Sequence, residues 1–231
     1  MKFFIDDSNK IDLHIHTCES DGEYYPEELL KKAQKLGIEY IAFTDHNKDI
    51  LGKKSNKKYI YEEYGITAIS GCEIDASLNG KRVHILAYNY KGGFRKFILP
   101  KIDKNFKEKR IKMPVKKICK LIHLFGGVAI LAHPFKYSKN GKLIVEEILL
   151  EKCIDGIECI HGYHTKEEID YLLKVCNDND LIVTAGSDFH YEGRKSRDEK
   201  KQTKLMELPG CDSTIDEQLK LAKEKYLKIK R

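Results

Sequence analysis

No apolar run in this chain approaches the roughly 20 residues that cross a bilayer; the longest, such as Gly126 to Ala132, fall far short. The N-terminus, MKFFIDDSNK, turns acidic before the hydrophobic stretch of a signal peptide develops. Neither a membrane span nor secretion is therefore expected. CxxC pairs are absent as well. The 7 cysteines are scattered singly as Cys18, Cys72, Cys119, Cys153, Cys159, Cys176 and Cys211, an odd number that suits reduced thiols and a cytoplasmic location better than a disulfide framework. Internal repeats are missing, and the composition excludes collagen, mucin, coiled-coil arrays and disordered tails. What remains is a globular chain of 231 residues, 41% hydrophobic and 34% charged, long enough for one large core or two small ones. Its net charge of +6 is spread over helices and loops, which reads as solvated surface before it reads as a nucleic-acid interface.

Short β-branched runs alternate with amphipathic stretches. The runs are Ile11 to Ile15, Tyr40 to Phe43, Thr67 to Ser70, Val83 to Tyr88, Val128 to Leu131, Gly156 to Ile160 and Leu181 to Ala185. Pro26 to Leu36 carries proline in its first turn, Leu29, Leu30, Ala33 and Leu36 at helical spacing, and Gly37 as a stop. Pro114 to Phe125 and Thr165 to Cys176 repeat the pattern, and a last helix is expected over Ser213 to Ile229. Strand, helix, strand in this order predicts an α/β fold with a mainly parallel sheet or barrel, in one domain over residues 1–231. Lys91 to Met113, lysine-rich and aperiodic, reads as a short surface insertion.

The 9 histidines carry the functional signal, because most of them lie beside a carboxylate near a strand. His14 and His16, two apart on the first run, project from one face, where two imidazoles can chelate a divalent cation. Alone, the pair reads equally well as surface histidines. Asp21 follows on a tight turn, and later strands end in Thr44-Asp45-His46, Gly71-Cys72-Glu73, Ala132-His133-Pro134 and Ser187-Asp188-Phe189-His190. In a parallel barrel these ends share one face. His84 is out of step, near the start of its strand, so that strand enters from another direction or the residue is structural. Imidazole and carboxylate without thiolate suit Zn, Mn or Fe(II), and the candidates outnumber the needs of one ion. A cluster of two or three ions follows, a device for hydrolysing phosphoesters. His123, on a helix with no carboxylate near it in sequence, reads as packing. One of His161 and His164, after the sixth strand, reads as a phosphate contact or a donor behind the ligands. Cys18, Cys72 and Cys159 read as small packing residues.

Taken together, His14-x-His16, Asp21, Thr44-Asp-His46, Gly71-x-Glu73, His84, Ala132-His-Pro134 and Ser187-Asp-x-His190 resemble the motifs of the PHP (polymerase and histidinol phosphatase) superfamily of metal-dependent phosphoesterases, in family order from Asp12 to His190. The resemblance implies a distorted (β/α)7 barrel with a trinuclear site. His14, His16, Glu73 and Asp188 would hold one ion, Glu73 would bridge to a second held by His84 and His133, and Asp21, His46 and His190 would hold the third. Gly126 to Pro134, Asp155 to Cys159 and Leu181 to His190 look most like the branch of nucleoside 3′,5′-bisphosphate phosphatases and a 5′-to-3′ RNA exonuclease. That branch forms part of its substrate pocket from a helical insertion, which here is limited to about Lys91 to Met113 and implies an open mouth. Lys136 stands where the branch often has arginine, and with His164 and Arg194 it is a candidate substrate contact.

The expected activity is hydrolysis of phosphomonoesters, nucleotides first among them, by a metal-bridging hydroxide; the general acid is unassigned. Alternatives are exonucleolytic action on RNA or DNA 5′ ends, histidinol-phosphatase-like activity, a non-catalytic module of the same fold, and an amidohydrolase. Glu73 in the bridging place and the His84 motif favour phosphorus chemistry. Purified protein should contain at least one equivalent of divalent metal, since so many converging donors are unfavourable without a cation. Elemental analysis finding less than that after reconstitution with Mn or Zn would contradict the reading.

Overall fold

The protein is described by a computed structural model over residues 11–52, 54–102, 113–136 and 140–191. Seven strands form one sheet in the order of the sequence: β1 (Ile11–Ile15), β2 (Tyr40–Phe43), β3 (Thr67–Leu78), β4 (Lys81–Tyr88), β5 (Val128–Leu131), β6 (Gly156–His161) and β7 (Ile182–Gly186). Among the described residues, α-helices accompany them at α1 (Pro26–Leu36), α2 (Lys54–Tyr64), α3 (Val115–Leu124), α4 (Gly141–Glu151) and α5 (Lys166–Asn179). The sheet curls until its ends meet. Asp188 N donates to His14 O at 2.7 Å and His16 N to Phe189 O at 2.9 Å, which closes a distorted barrel between β1 and the end of β7.

The helices form where the sequence supplies start and stop signals. In α1, Glu28 accepts from the Tyr25 N–H at 2.8 Å, and Gly37 at φ 71° returns its N–H to the Ala33 carbonyl. Leu29, Leu30 and Ala33 are thereby turned into a cluster with Ile15, Ile41, Phe43, Ile60 and Phe189. Each fully buried leucine of this kind contributes about 1.5–3 kcal/mol relative to exposure. Thr165 accepts from the Glu168 N–H while Glu168 accepts from the Thr165 N–H, a reciprocal cap that starts α5 one residue after the expected boundary.

The sheet is mainly parallel, as expected, and the strand of His84 enters from another direction, one of the two readings its position allowed. β1, β2 and β3 are parallel, as are β5, β6 and β7, but β4 runs antiparallel to both β3 and β5. β3 is also longer than its apolar run: residues 67–70 pair with β2, and residues 71–78 pair with β4. Because β4 is reversed, its beginning lies at the level where its neighbours end.

Two helices, α2 and α4, lie where no helix was expected. The insertion is also less superficial than its composition suggested. Its described first part, up to residue 102, winds as a helix with a π turn at Phe94–Ile98, and Phe94, Leu99 and Ile102 are buried in the main core. The expected helix over Ser213 to Ile229, together with Arg194 and Cys211, lies outside the described residues. Among the described residues no helix is long and apolar enough to cross a membrane.

His123 packs away from the other histidines, as expected, but it has a carboxylate partner that the sequence did not place near it. Its Nε2 lies 2.7 Å from Asp155 Oδ2, and the same oxygen accepts from the Ala129 N–H at 2.8 Å, joining α3 to the loop before β6. His123→Ala should lower stability by about 1–2 kcal/mol in denaturant titration, the worth of one partly buried polar pair. Metal content and turnover should stay at the wild-type level.

Candidate metal centre

The ends of the parallel strands and the first half of the reversed β4 bring polar residues together at one mouth of the barrel. Two of these positions take left-handed backbone without being glycine: His133 at φ 23° and Asp188 at φ 53°. Each is held by its own N–H, which donates to Glu158 Oε2 at 2.9 Å for His133 and to the His14 carbonyl at 2.7 Å for Asp188. Glycine is required nearby. A Cβ at Gly22 would lie 2.4 Å from the His16 carbonyl, and one at Gly186 would lie 2.3 Å from His14 Cβ and 2.4 Å from Glu158 Oε1. Without these close approaches Asp21 could not return to His16, and His14 could not reach Glu158.

The centre of the arrangement is Glu73, which is buried. Its Oε1 lies 2.5 Å from His84 Nδ1, 3.0 Å from His133 Nε2 and 3.5 Å from His14 Nε2. Its Oε2 lies 3.2 Å from His16 Nε2 and from His46 Nδ1. Asp188 Oδ1 stands 3.2 Å from His16 Nε2 and 3.4 Å from His14 Nε2. Asp21 Oδ2 is 3.4 Å from His190 Nε2 and 3.6 Å from His46 Nε2. All nine residues that the sequence nominated are thus in one cluster. Donor atoms that could share an ion, all within 4.8 Å of one another, fall into two groups: His14, Glu73, His133 and Asp188, and His16, Asp21, His46 and His190. His16 therefore sits between the expected first and third sets. His84, the residue out of step in the sequence, reaches Glu73 because β4 is reversed.

Carboxylates that the sequence reading did not single out stand behind the imidazoles. Glu158 Oε1 is 3.0 Å from His14 Nδ1, and Asp75 Oδ1 is 3.2 Å from His84 Nε2. Each engages the ring nitrogen facing away from the cluster, which leaves the other nitrogen directed inward. Asp12 accepts from the Ser187 N–H at 3.0 Å and the Ser187 hydroxyl at 2.5 Å, tying β1 to the turn that carries Asp188. The available signal was an acidic residue inside an apolar run, as in Gly156-Ile-Glu158-Cys-Ile160, because a charge in a fully buried strand needs a partner.

The electrostatics favour a cation. Burial opposes protonation of His14, yet Glu158, Glu73 and Asp188 outweigh it and raise its pKa to about 10. Burial would raise the Glu158 carboxyl, but His14 beside it brings it down to about 2. His133 goes the other way: burial pushes it down to about 4, leaving a neutral imidazole with a lone pair. Asp188 Oδ1 is buried and, among the described residues, accepts no hydrogen bond despite two imidazoles within 3.4 Å. A desolvated carboxylate oxygen in that state, among imidazole nitrogens and further carboxylates without thiolate, fits divalent metal ions of the Zn, Mn or Fe type. The Asp21 side chain is 53% exposed, so the cluster opens to solvent on that side.

The proposed substrate contacts divide. Lys136 reaches the cluster and forms an ion pair with Asp188 Oδ2. His164 lies a step behind: its Nδ1 donates to the Cys159 carbonyl at 2.8 Å and its ring meets Phe135 edge-on. His161 is the member of that pair closest to the metal residues, with Nε2 3.9 Å from Asp188 Oδ2. Cys72 and Cys159 are buried as expected, whereas Cys18 is exposed. Beside the cluster, a cleft of about 830 Å³ is lined by Phe43, Asn47, Lys48, Asp49, Arg95 and Leu99 among others. Asn47 follows His46 directly, and Arg95 and Leu99 come from the insertion, so even a short insertion supplies a wall beside the mouth.

Comparison with known proteins agrees with this geometry. The PHP domain family model matches residues 12–207. A 5′-3′ exoribonuclease of Haemophilus influenzae is 25% identical over 251 residues, covering 80% of this chain and 91% of that protein. A 3′,5′-nucleoside bisphosphate phosphatase of Chromobacterium violaceum is 21% identical over 258 residues, covering 81% and 90% respectively. Among solved structures, a Bifidobacterium adolescentis protein provisionally described as a metal-dependent phosphoesterase superposes with a TM-score of 0.68 at 21% identity, over 92% of this chain and 96% of its own, and so shares the fold.

The carboxylate behind His14 gives a direct test. Glu158→Gln keeps the shape but removes the charge that orients and polarises the imidazole, so affinity for Mn or Zn should fall about 10–100-fold in a chelator competition assay. An unchanged affinity would show that Glu158 only packs.

Proposed function

The chain belongs to the PHP domain family and is a metal-dependent phosphoesterase, and from that premise we propose that it hydrolyses phosphomonoesters of nucleotides, 3′,5′-bisphosphonucleotides among them. The observation that carries this reading is the assembly of six imidazoles and three carboxylates at a solvent-accessible mouth, with Lys136 at its edge. Two or three ions of Mn, Fe or Zn would be held by His14, His16, Glu73 and Asp188, by Glu73, His84 and His133, and by Asp21, His46 and His190. When bound, such ions activate water for in-line attack and neutralise the non-bridging oxygens of the phosphate.

The chain's own residues do the rest. Glu158 and Asp75 fix the His14 and His84 rings so that neither must reorient during turnover. Lys136 brings a point charge to the phosphate without the two-pronged geometry of an arginine. The neighbouring cleft has room for a nucleoside, and Asn47, Lys48 and Arg95 offer it polar edges. Burial of Glu73 and Asp188 keeps bulk water from screening their charges. A 5′-to-3′ exonuclease is the second reading, favoured by the likeness to the Haemophilus influenzae enzyme, and it uses the same residues on the end of a chain.

A panel of p-nitrophenyl phosphate, nucleoside monophosphates, 3′,5′-bisphosphates, 5′-phosphorylated oligonucleotides and an amide, assayed with Mn, Fe(II) and Zn, separates these readings. Phosphomonoesters should be turned over and the amide should not. Glu73→Ala, which removes a carboxylate shared by several imidazoles, should lower kcat/KM by about 10³-fold or more. Lys136→Ala should lower kcat/KM by a similar factor for nucleotides with different bases, because it removes a phosphate contact. A change of base preference in that variant would overturn the assignment of Lys136.

A further inference from the structure

One buried histidine beside the cluster has no part in the proposed function as stated so far. His161 ends β6 opposite Gly186 and is 1% exposed. Its Nδ1 accepts from the Tyr163 backbone N–H at 3.1 Å, and a nitrogen that accepts from an amide carries no proton of its own. The proton of the neutral ring is therefore on Nε2. Among the described residues that N–H has no hydrogen-bond partner: Asp188 Oδ2, at 3.9 Å, lies beyond hydrogen-bond reach. A buried donor without a partner is costly and calls for a ligand.

The surroundings indicate what kind of ligand. The two oxygens of Asp188 face different groups. Oδ1 faces the imidazoles of His14 and His16, while Oδ2 faces Lys136 and His161. The Tyr163 ring joins the second set: it stacks on His161 with centroids 5.5 Å apart and an interplanar angle of 21°, and Lys136 Nζ lies 5.6 Å from its centroid. One aromatic platform thus holds a cation and a neutral N–H donor side by side at the edge of the cluster. Two donors around one point suit a tetrahedral oxyanion.

Resting on the phosphoesterase reading above, we propose that His161 donates its Nε2–H to a phosphoryl oxygen of the bound substrate and, with Lys136 on the shared Tyr163 platform, forms the phosphate seat of the site. No proton is transferred, so His161 stabilises charge on the phosphoryl group and leaves the leaving-group proton to another donor. His164 does not share this task, since its Nδ1 is committed to the Cys159 carbonyl behind the site.

Two substitutions separate this role from packing. Asparagine places its amide oxygen where Nδ1 was, so His161→Asn can still accept from the Tyr163 N–H but has no donor at the position of Nε2. Glutamine reaches that position, so His161→Gln keeps one. With metal-loaded protein, the inhibition constant of inorganic phosphate and the KM for p-nitrophenyl phosphate should rise at least about tenfold in His161→Asn. In His161→Gln both should stay within about threefold of wild type. Metal content by elemental analysis and Tm should match wild type in both variants. Equal phosphate inhibition in wild type and His161→Asn would overturn the proposal, and so would loss of metal from both variants, which would make His161 a support for the ligands. If the wild type hydrolysed no phosphomonoester at all, the functional reading would fall, while calorimetric titration of the same three proteins with inorganic phosphate would still decide the role of His161.

Discussion

A single buried carboxylate organises this protein. Glu73, on β3, has five imidazoles from four other elements within 3.5 Å: His14 from β1 and His16 just after it, His46 from the loop after β2, His84 from β4 and His133 from the turn after β5. Withdrawing a carboxylate from water costs several kcal/mol unless compensating charge and hydrogen bonds surround it. Its backbone is fixed as well, since Glu73 N donates to the Thr44 carbonyl at 3.0 Å and its carbonyl accepts from Asn47 N at 2.9 Å. The barrel must therefore bring all five elements to one point.

That requirement explains the reversed strand. Glu73 lies just beyond the place where β3 leaves β2 and begins to pair with β4. On a parallel β4, the position of His84 near the start of its strand would face the opposite end of the barrel. Running antiparallel, β4 sets His84 opposite Asp75, two residues along from Glu73, where one ring nitrogen meets Asp75 and the other meets Glu73. The same reversal delivers the chain to the insertion, whose Phe94 and Leu99 join the core while Arg95 lines the cleft beside the site.

Around this centre the work is divided between two sets of residues. Glu158, Asp75 and Asp12 touch histidines or turns from behind and orient them, and the left-handed backbone at His133 and Asp188 is held by the same contacts. Lys136, His161 and Tyr163 gather on the other oxygen of Asp188. Asp188 thus marks the border between the residues suited to metal and those suited to phosphate.

By itself the sequence determined the alternation of strands and helices, the nine candidate ligands and the chemistry of their donor set. These are local properties: a period of two or 3.6 residues, a glycine stop, a histidine beside a carboxylate at the end of an apolar run. Only the tertiary structure decided the direction of β4, because an apolar run of residues 83–88 reads the same whichever way its strand runs. It also decided the company of His16, the support from Glu158 and Asp75, and the choice of His161 over His164. The last pair are three residues apart in the sequence with similar neighbours; what separates them is which ring nitrogen the backbone occupies. Those distinctions depend on contacts between residues such as His14 and Glu158, 144 positions apart, whose distance is set by the closure of the sheet and by glycines that let two backbones approach.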